Sequence, residues 1–185
     1  MTERSAPKIF SHPVLVAEVP EGGLDVSLSA DADTLRSLAD ADELQDIASL
    51  DAEFHVARRP GERFNVSGEM RARVTQICVV SLEPFESEIV EPIDVDFAPP
   101  DEAAELAAKW DAAAAQDAAH IDPGEDPPDP IVNGQIDLGA LAIEFLALGL
   151  DPYPRKPGVT FEPPPAGESA PETPFSVLKQ LKERS

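Results

Sequence analysis

The side chains of this sequence that could perform chemistry are one cysteine, three histidines and many carboxylates. His12, His55 and His120 are scattered, so no two of them have the helical spacing that presents a pair of metal ligands. The sequence also contains no glycine-rich phosphate loop and no Gly-x-Ser-x-Gly turn. Because no catalytic constellation is present, we predict a protein that is not an enzyme and that carries no cofactor or metal.

Cys78 is the one side chain with the character of a strong nucleophile. It has the same parity as Val74 and Val80 in a segment that alternates like a strand, and a buried cysteine behaves as a small hydrophobe. The alternative is a reactive thiol or a metal ligand, which needs a lowered pKa or further ligands nearby. The alternation favours the buried hydrophobe.

Basic side chains are the second group of candidates, because arginine and lysine bind phosphate. Arg71 and Arg73 alternate with apolar residues and are expected to pair with acids across a hairpin. Arg58 and Arg59, beside a predicted turn, are expected to be freer. The candidate contacts for RNA or a partner are Arg58, Arg59, Arg63, Arg71, Arg73, Arg155, Lys156, Lys179 and Lys182.

The chain as a whole is strongly acidic, with 36 Asp and Glu, 14 Lys and Arg, and a formal charge of −22. Such a charge repels phosphate polymers and anionic membranes and attracts basic proteins. The acids are dense in an Ala- and Pro-rich segment at about 99–130, which is either a solvated surface or a docking site for a basic partner. The candidate docking residues are Asp101, Glu102, Glu105, Asp111, Asp126 and Asp129.

The element that organises the chain is predicted to be a long β-hairpin over residues 71–97. Apolar and polar residues alternate along both arms, which is typical of half-buried strands. The apolar row of the first arm runs to Leu82, and a turn near Pro84 lets both apolar rows share one face. The expected pairs on the outer face are Arg73 with Asp94 and Arg71 with Asp96.

Shorter elements are predicted before this hairpin. Strands lie at 14–16 and 24–28 around a turn at 20–23, a helix begins after Asp31 or Asp33, and a second short helix contains Leu44, Ile47 and Ala48. A further strand around Phe54 and Val56 ends at Pro60-Gly61, after which Phe64 and Val66 resume the alternation. Three consecutive antiparallel strands therefore form a meander.

Two helices are predicted after the hairpin. The first covers the Ala-rich segment 102–119 and is exposed, and Trp110 either anchors it to the sheet or docks a partner. The second begins at the N-cap Asp137 and ends at Gly149. Because its apolar residues cover both sides, we expect this helix to be buried nearly all round against the sheet, with Phe145 in the core.

These elements predict an α+β protein: an antiparallel β meander with a buried helix and flexible acidic and Pro-rich segments. A single domain at 12–150 contains the acidic insertion at about 99–130, followed by a Pro-rich linker at 151–172 and a basic helix at 173–185. The single cysteine and the lack of a basic-then-apolar leader predict a cytoplasmic protein. The longest apolar run, at 138–150, is shorter than the roughly 20 residues of a membrane span.

The order of these features resembles the YceD-type family, the large ribosomal RNA subunit accumulation proteins of bacteria and plastids. The resemblance extends over most of the chain and includes the acidic spacer. The motifs that carry it are Cys78-Val-Val-Ser81-Leu-Glu-Pro-Phe85, Ile136-Asp137-Leu138 with Glu144, Pro152-Tyr153-Pro154, and Pro174-Phe175-Ser-Val-Leu178-Lys179. Together, these motifs are fairly specific to the family.

The resemblance implies a non-enzymatic factor needed for accumulation of large-subunit ribosomal RNA, usually encoded beside a small basic protein of the large subunit. Many relatives carry Cys-x-x-Cys in the hairpin and further cysteines after the buried helix, a set that could bind zinc. In this chain Ser81 takes the second position and no later cysteine follows. We therefore expect no zinc, because four ligands cannot be assembled.

Three functions remain open from the sequence. The protein either contacts pre-ribosomal RNA through its arginines and its C-terminal helix, or holds a basic ribosomal protein through its acidic segment as a docking module or chaperone. A small enzyme that uses Cys78 is the third. The overall charge favours a large-subunit precursor or a basic ribosomal protein as the partner, with weak direct binding to naked ribosomal RNA.

Overall fold

The computed structural model of the protein describes residues 10–116 and 126–161. Its elements, in chain order, are β1 (Pro13–Leu15), a 3-10 turn (Val16–Glu18), β2 (Leu24–Ser29), α1 (Ala32–Ala41), β3 (Asp46–Arg59), β4 (Arg63–Ile77), β5 (Pro84–Ala98), α2 (Pro100–Gln116), β6 (Asp129–Pro130), β7 (Gln135–Asp137) and α3 (Leu138–Gly149). One sheet has the order β2-β3-β4-β5-β6 and is antiparallel except between β5 and β6, and β1 and β7 form a separate pair. The fold is α+β, as the sequence predicts.

The meander of β3, β4 and β5 forms because apolar and polar residues alternate along all three strands. On β4, Met70 and Val74 are fully buried, whereas Arg71 between them is exposed. At the turn between β3 and β4, Gly61 has a φ of +82°, a conformation that glycine adopts without strain. The predicted meander, with its turn at Pro60-Gly61, is confirmed.

The predicted register of the central hairpin is wrong. β4 ends at Ile77 and β5 begins at Pro84, so the loop 78–83 takes the place of a tight turn. This loop, called the Cys78 loop below, exposes Leu82 instead of burying it. The observed pairs on the outer face are Arg73 with Glu88, Arg71 with Val90, Ser67 with Asp94, and Asn65 with Asp96.

The Cys78 loop closes through its own backbone. The N–H of Cys78 donates to the carbonyl of Glu83 at 3.0 Å, and the N–H of Leu82 donates to the carbonyl of Cys78 at 2.9 Å. Leu82 takes a φ of +59°, in the left-handed region. These bonds satisfy backbone groups that a longer strand would have paired, which is why the strands separate before the apolar alternation of the sequence ends.

β1 pairs with β7 and not with β2, so the predicted hairpin between 14–16 and 24–28 is wrong. Val14 lies opposite Ile136, and both side chains are buried. β2 pairs with β3 instead, and Leu28 lies opposite Ala52. Three apolar residues in a row can bury themselves against either partner, so the short pattern at 14–16 does not select one.

α1 begins where the sequence predicts, because the carboxylate of Asp31 accepts the backbone N–H of Thr34 at 2.9 Å. The second short helix, around Leu44, Ile47 and Ala48, is wrong, since β3 begins at Asp46. A register shift between Ile47 and Ser49 leaves Ala48 unpaired, so Ile47 and Leu50 are both buried although they are three residues apart. Apolar residues three positions apart are typical of a helix, which is why the sequence predicts a helix here.

α3 begins at the predicted N-cap, Asp137. Its carboxylate accepts the backbone N–H groups of Gly139 at 3.0 Å and Ala140 at 3.1 Å. It also accepts the hydroxyl of Ser11 at 2.5 Å and the N–H of His12 at 2.8 Å. Partial burial raises the pKa of Asp137, but these hydrogen bonds outweigh it and the net pKa is lowered. One carboxylate thus starts α3 and ties the N-terminal segment to it.

The expectation that α3 is buried nearly all round is wrong. Leu138 and Leu146 are completely buried, Phe145 is half-buried, and Glu144 and Leu148 are exposed. The reason is the layer architecture, because α1 and α3 pack on one face of the sheet and nothing in the described residues forms a third layer over them. The core lies between these helices and the inner face of β2 to β5.

α2 confirms a helix in the acidic segment, and Ala103 anchors its first turn in the core. Trp110 is half-buried, and its indole N–H has no hydrogen-bond partner among the described residues. The predicted linker at 151–172 is irregular over 151–161. The remainder of the linker, residues 117–125, and the predicted helix at 173–185 with Lys179 and Lys182 lie outside the described residues. None of the described helices is long and apolar enough to cross a membrane.

Candidate functional site

Arg58 is engaged by the chain itself, which differs from the expectation that it is free. Its Nε donates to the carbonyl of Val19 at 2.6 Å, and its Nη2 donates to the carbonyls of Val16 at 3.0 Å and Ala17 at 3.3 Å. The guanidinium also lies 5.3 Å from the centroid of the Phe64 ring. Arg58 therefore holds the segment after β1 against the end of β3.

Arg59 and Arg63 lie opposite each other at the tip of the β3–β4 hairpin. Arg63 donates to Glu102 of α2, with Nε at 3.0 Å from Oε1, and this bond raises the pKa of Arg63 and lowers that of Glu102. Arg59 has no ion pair with any residue in the described part of the chain. The tip therefore presents one neutralised arginine and one available arginine.

Arg71 and Arg73 lie far from this tip. Eight strand positions separate Arg63 from Arg71, which is roughly 27 Å at about 3.4 Å per residue. Arg71 pairs with Glu69 on the same strand, with Nε at 2.6 Å from Oε1, and Arg73 lies opposite Glu88. The predicted arginine face is therefore two separate groups, and the second is interleaved with acids.

The segment 154–156, which contains two basic residues, is fixed to the Cys78 loop. Lys156 lies 2.8 Å from the carboxylate of Glu83, a bond that raises the pKa of Lys156 and lowers that of Glu83. The N–H of Val79 donates to the carbonyl of Pro154 at 2.9 Å. Arg155 is exposed between them. Of the two predicted contacts here, only Arg155 presents its charge freely to solvent.

Cys78 is completely buried, as the alternation of the sequence predicts, although it lies in the loop and not in the strand. A hydrogen bond from the Ser81 side chain and one from the Ser81 N–H, at 3.4 Å from Sγ, lower the pKa of Cys78 to about 6, with smaller contributions from the N–H groups of Lys156 and Val80. These donors favour the thiolate. The thiol of Cys78 is therefore more acidic than an ordinary cysteine thiol, which a purely hydrophobic role does not require.

The surroundings of Cys78 do not fit a zinc ion. Ser81 supplies a hydroxyl where a second thiolate would stand, and Lys156 brings a positive charge toward the thiol. Within residues 10–116 and 126–161, no group of three or more His, Cys, Asp or Glu side chains is arranged to hold a metal ion. Within the described residues, the thiol is surrounded by hydrogen-bond donors from Ser81, Val80 and Lys156.

We expect the ultraviolet absorbance of the thiolate in the native protein to rise with a midpoint near pH 6. In denaturant the midpoint should return to about 8.5. Because the folded pKa is the lower one, ionised Cys78 stabilises the fold fully above the unfolded pKa, and this stability is lost as the pH falls through about 6. Ser81→Ala should raise the native midpoint, and Cys78→Ala serves as the blank. Equal midpoints for native and denatured protein would contradict this assignment.

The predicted acidic docking residues divide between two places. Asp101, Glu105 and Asp111 are exposed on α2, whereas Glu102 is occupied by Arg63. Asp126 and Asp129 lie beside β6, where burial raises the pKa of Asp129. Because β6 packs against α2, the two groups of acids are neighbours in the fold.

A groove that sequence reasoning missed lies between β5, the segment at β6 and α3, and is called the α3 groove below. It has a volume of about 490 Å³. Its apolar lining residues, called the floor below, are Val95, Pro127, Leu141, Phe145 and Leu148. Its acidic lining residues, called the rim below, are Asp94, Asp96, Asp126, Asp129 and Glu144. None of the described residues that line it is a lysine or an arginine. An apolar floor inside an acidic rim can bind a basic, amphipathic ligand.

The family model described as "Large ribosomal RNA subunit accumulation protein YceD" matches residues 66–182, more than half of the chain. The chain belongs to this family, which confirms the resemblance seen in its motifs. Comparisons with curated proteins and with solved structures give no match.

Proposed function

We propose that the protein supports accumulation of large-subunit ribosomal RNA without catalysis, by binding a basic ribosomal protein or the protein surface of a large-subunit precursor in the cytoplasm. The family description supports the process, since it names accumulation of that RNA and not a reaction. The observation that carries the choice of partner is the distribution of charge. Acids are exposed on α2 and around the α3 groove, whereas most described arginines are paired within the chain.

Direct RNA binding is the second candidate, and the unpaired Arg59 at the hairpin tip favours it. Arg73 and Arg155 are also exposed, but they lie in other parts of the fold. Each phosphate contact gains affinity by releasing a counterion, so a few separated cations bind weakly against a net charge of −22. A basic protein gains from the same field in encounter rate and in affinity.

The experiment is an association assay of the full chain with large-subunit precursors from a lysate, with and without ribonuclease. We expect association to persist after ribonuclease treatment. Replacing three exposed acids of α2 with amides (Asp101→Asn, Glu105→Gln and Asp111→Asn) should weaken association about ten-fold, equivalent to about 1.4 kcal/mol. Replacing the exposed arginines (Arg59→Gln and Arg73→Gln) should change it by less than about two-fold. The two sets alter exposed side chains only, so folding should be unaffected.

The opposite pattern would favour the RNA candidate. Tight, salt-sensitive binding to protein-free ribosomal RNA that is lost with Arg59→Gln, together with no effect of the amide replacements, would contradict the proposed partner. Arg58 is left unchanged because its contacts with Val16, Ala17 and Val19 are structural.

A further inference from the structure

We propose that the α3 groove is the docking site for a basic amphipathic helix of a partner protein, with the apolar side of that helix on the floor and its lysines and arginines against the rim. This inference rests on the proposed function, because it names the place at which a basic protein partner binds. It adds a second contact surface, built by α3 and β5 together, to the exposed acids of α2.

The floor of the groove is an apolar stripe along α3. Leu141, Phe145 and Leu148 are four and three residues apart, so they lie on one side of the helix. Leu148 is 72% exposed and Phe145 is half-buried. Leu141, at the other end of the stripe, is buried in the core, so the part that a ligand can reach is Phe145 and Leu148, about one turn of α3. Apolar anchors at this spacing are what helix-in-groove recognition uses.

The rim places carboxylates on both sides of this stripe. On the β5 side, the amide of Asn65 donates to Asp94 at 2.8 Å and to Asp96 at 3.0 Å, and so holds two carboxylates side by side. Glu144 stands on the α3 side, and Asp129 lies at one end. Lysine and arginine pack their aliphatic stems on apolar surface while the charged group reaches outward. A basic helix therefore satisfies the floor and the rim at once.

Other ligand classes fit the groove less well. The acidic rim repels RNA, and no described group of side chains is arranged for a metal ion. An added strand along the free edge of β5 would meet Pro92, which has no N–H to donate. The second cavity, of about 380 Å³, shares Asp129, Leu141 and Glu144 with the groove and extends it toward β7. The surface therefore continues past the length of the stripe.

The test uses the purified full chain and a labelled synthetic helical peptide with leucines on one side and lysines on the other. A scrambled peptide of the same composition has no apolar side and is the control. We expect the amphipathic peptide to bind at least about ten-fold more tightly than the scrambled one, and its affinity to fall with added salt. Equal affinities would overturn the proposal, because charge alone would then explain the binding.

Paired variants locate the site. Leu148→Lys should weaken peptide binding at least about ten-fold, whereas Leu82→Lys, at an equally exposed leucine in the Cys78 loop, should not change it. Glu144→Lys on the rim and Glu86→Lys on the outer face of the sheet form a second pair of the same design. Unchanged melting transitions show that each variant is folded. Equal effects within either pair would overturn the assignment of the groove.

Further outcomes test which segment occupies the groove and, separately, whether the proposed function is correct. A rise in peptide affinity of about ten-fold in the full chain with Lys179→Glu and Lys182→Glu would mean that the chain's own basic segment fills the groove, and would overturn the partner. Unchanged association of Leu148→Lys with large-subunit precursors would reject the groove as the partner's site and leave the proposed function standing. A chain that binds the peptide through Leu148 but never associates with precursors would reject the proposed function.

Discussion

Leu146→Asp is expected to abolish the cooperative folding transition of this protein. Leu146 is completely buried between α3 and the inner face of the sheet. The change removes a buried aliphatic side chain, which costs about 2–5 kcal/mol, and buries a carboxylate without a partner, which costs several kcal/mol more. This sum is comparable to the roughly 5–15 kcal/mol that stabilises a domain. Circular dichroism during urea titration measures the loss.

The same substitution at two nearby positions on α3 should cost less stability. Phe145→Asp should cost about 2 kcal/mol, because Phe145 is half-buried and a carboxylate there can reach water. From the sequence alone, Phe145 is predicted in the core, a position where the same change would be as costly as Leu146→Asp. Leu148→Asp should fall within about 0.5 kcal/mol of the parent, because Leu148 is exposed. An unchanged transition for Leu146→Asp would contradict the packing of α3 on the sheet.

Gly68→Ala is expected to cost about 3 kcal/mol or more of unfolding free energy. Gly68 lies opposite Phe54 in the β3–β4 ladder. A Cβ at this position would overlap the carbonyl oxygen of Glu53 and would lie 3.0 Å from its carbonyl carbon and 3.1 Å from the Cα of Phe54. All of these atoms belong to the backbone, so no side chain can turn aside and the ladder itself must shift. Urea unfolding measures the difference.

Gly22→Ala is the matched control for this substitution. A Cβ at Gly22 meets no heavy atom within 4 Å. The added methyl group should therefore leave stability within about 0.5 kcal/mol of the parent, since only the unfolded chain feels it. Similar stabilities for Gly68→Ala and Gly22→Ala would mean that β3 and β4 are further apart than the structure shows.

The parts of the fold that the sequence predicts correctly are those with long local patterns. The alternation extends over residues 50–56 of β3 and 70–75 of β4, and a strict alternation of that length favours a strand over a helix. The start of α3 is equally local, since Asp137 bonds the two N–H groups that follow it. Physical causes that act within a few residues are visible in a single sequence.

The parts that the sequence predicts wrongly depend on distant partners. β1 pairs with β7 across more than 120 positions, and no local pattern names that partner. The predicted hairpin register was wrong because the backbone groups of the Cys78 loop form hydrogen bonds with one another. The apolar alternation of the sequence therefore runs past the end of β4. The prediction of a helix around Leu44, Ile47 and Ala48 was wrong because the one extra residue of the bulge gives the strand an apolar spacing typical of a helix.

For the candidate site, the sequence predicts which types of residue are present but not how they are arranged. The sequence shows an acidic chain with a few arginines, but it does not show that Arg58 binds three carbonyl groups, because every residue carries a carbonyl. The α3 groove needs the edge of β5 and the exposed side of α3 to lie together. The one sign of it in the sequence is the spacing of Leu141, Phe145 and Leu148, and this spacing predicts a buried side of the helix equally well.

The pairing of β1 with β7 sets the order in which a growing chain can fold. The meander can form once β5 has been synthesised, but its inner apolar face is covered only after α3, about fifty residues later. At about 5–20 residues per second, that face stays open for about 3–10 s. Pro13 waits longer for Asp137, because about 120 residues separate the two, which takes about 6–25 s at the same rate. The inner face of the meander therefore stays exposed during translation until α3 has been made.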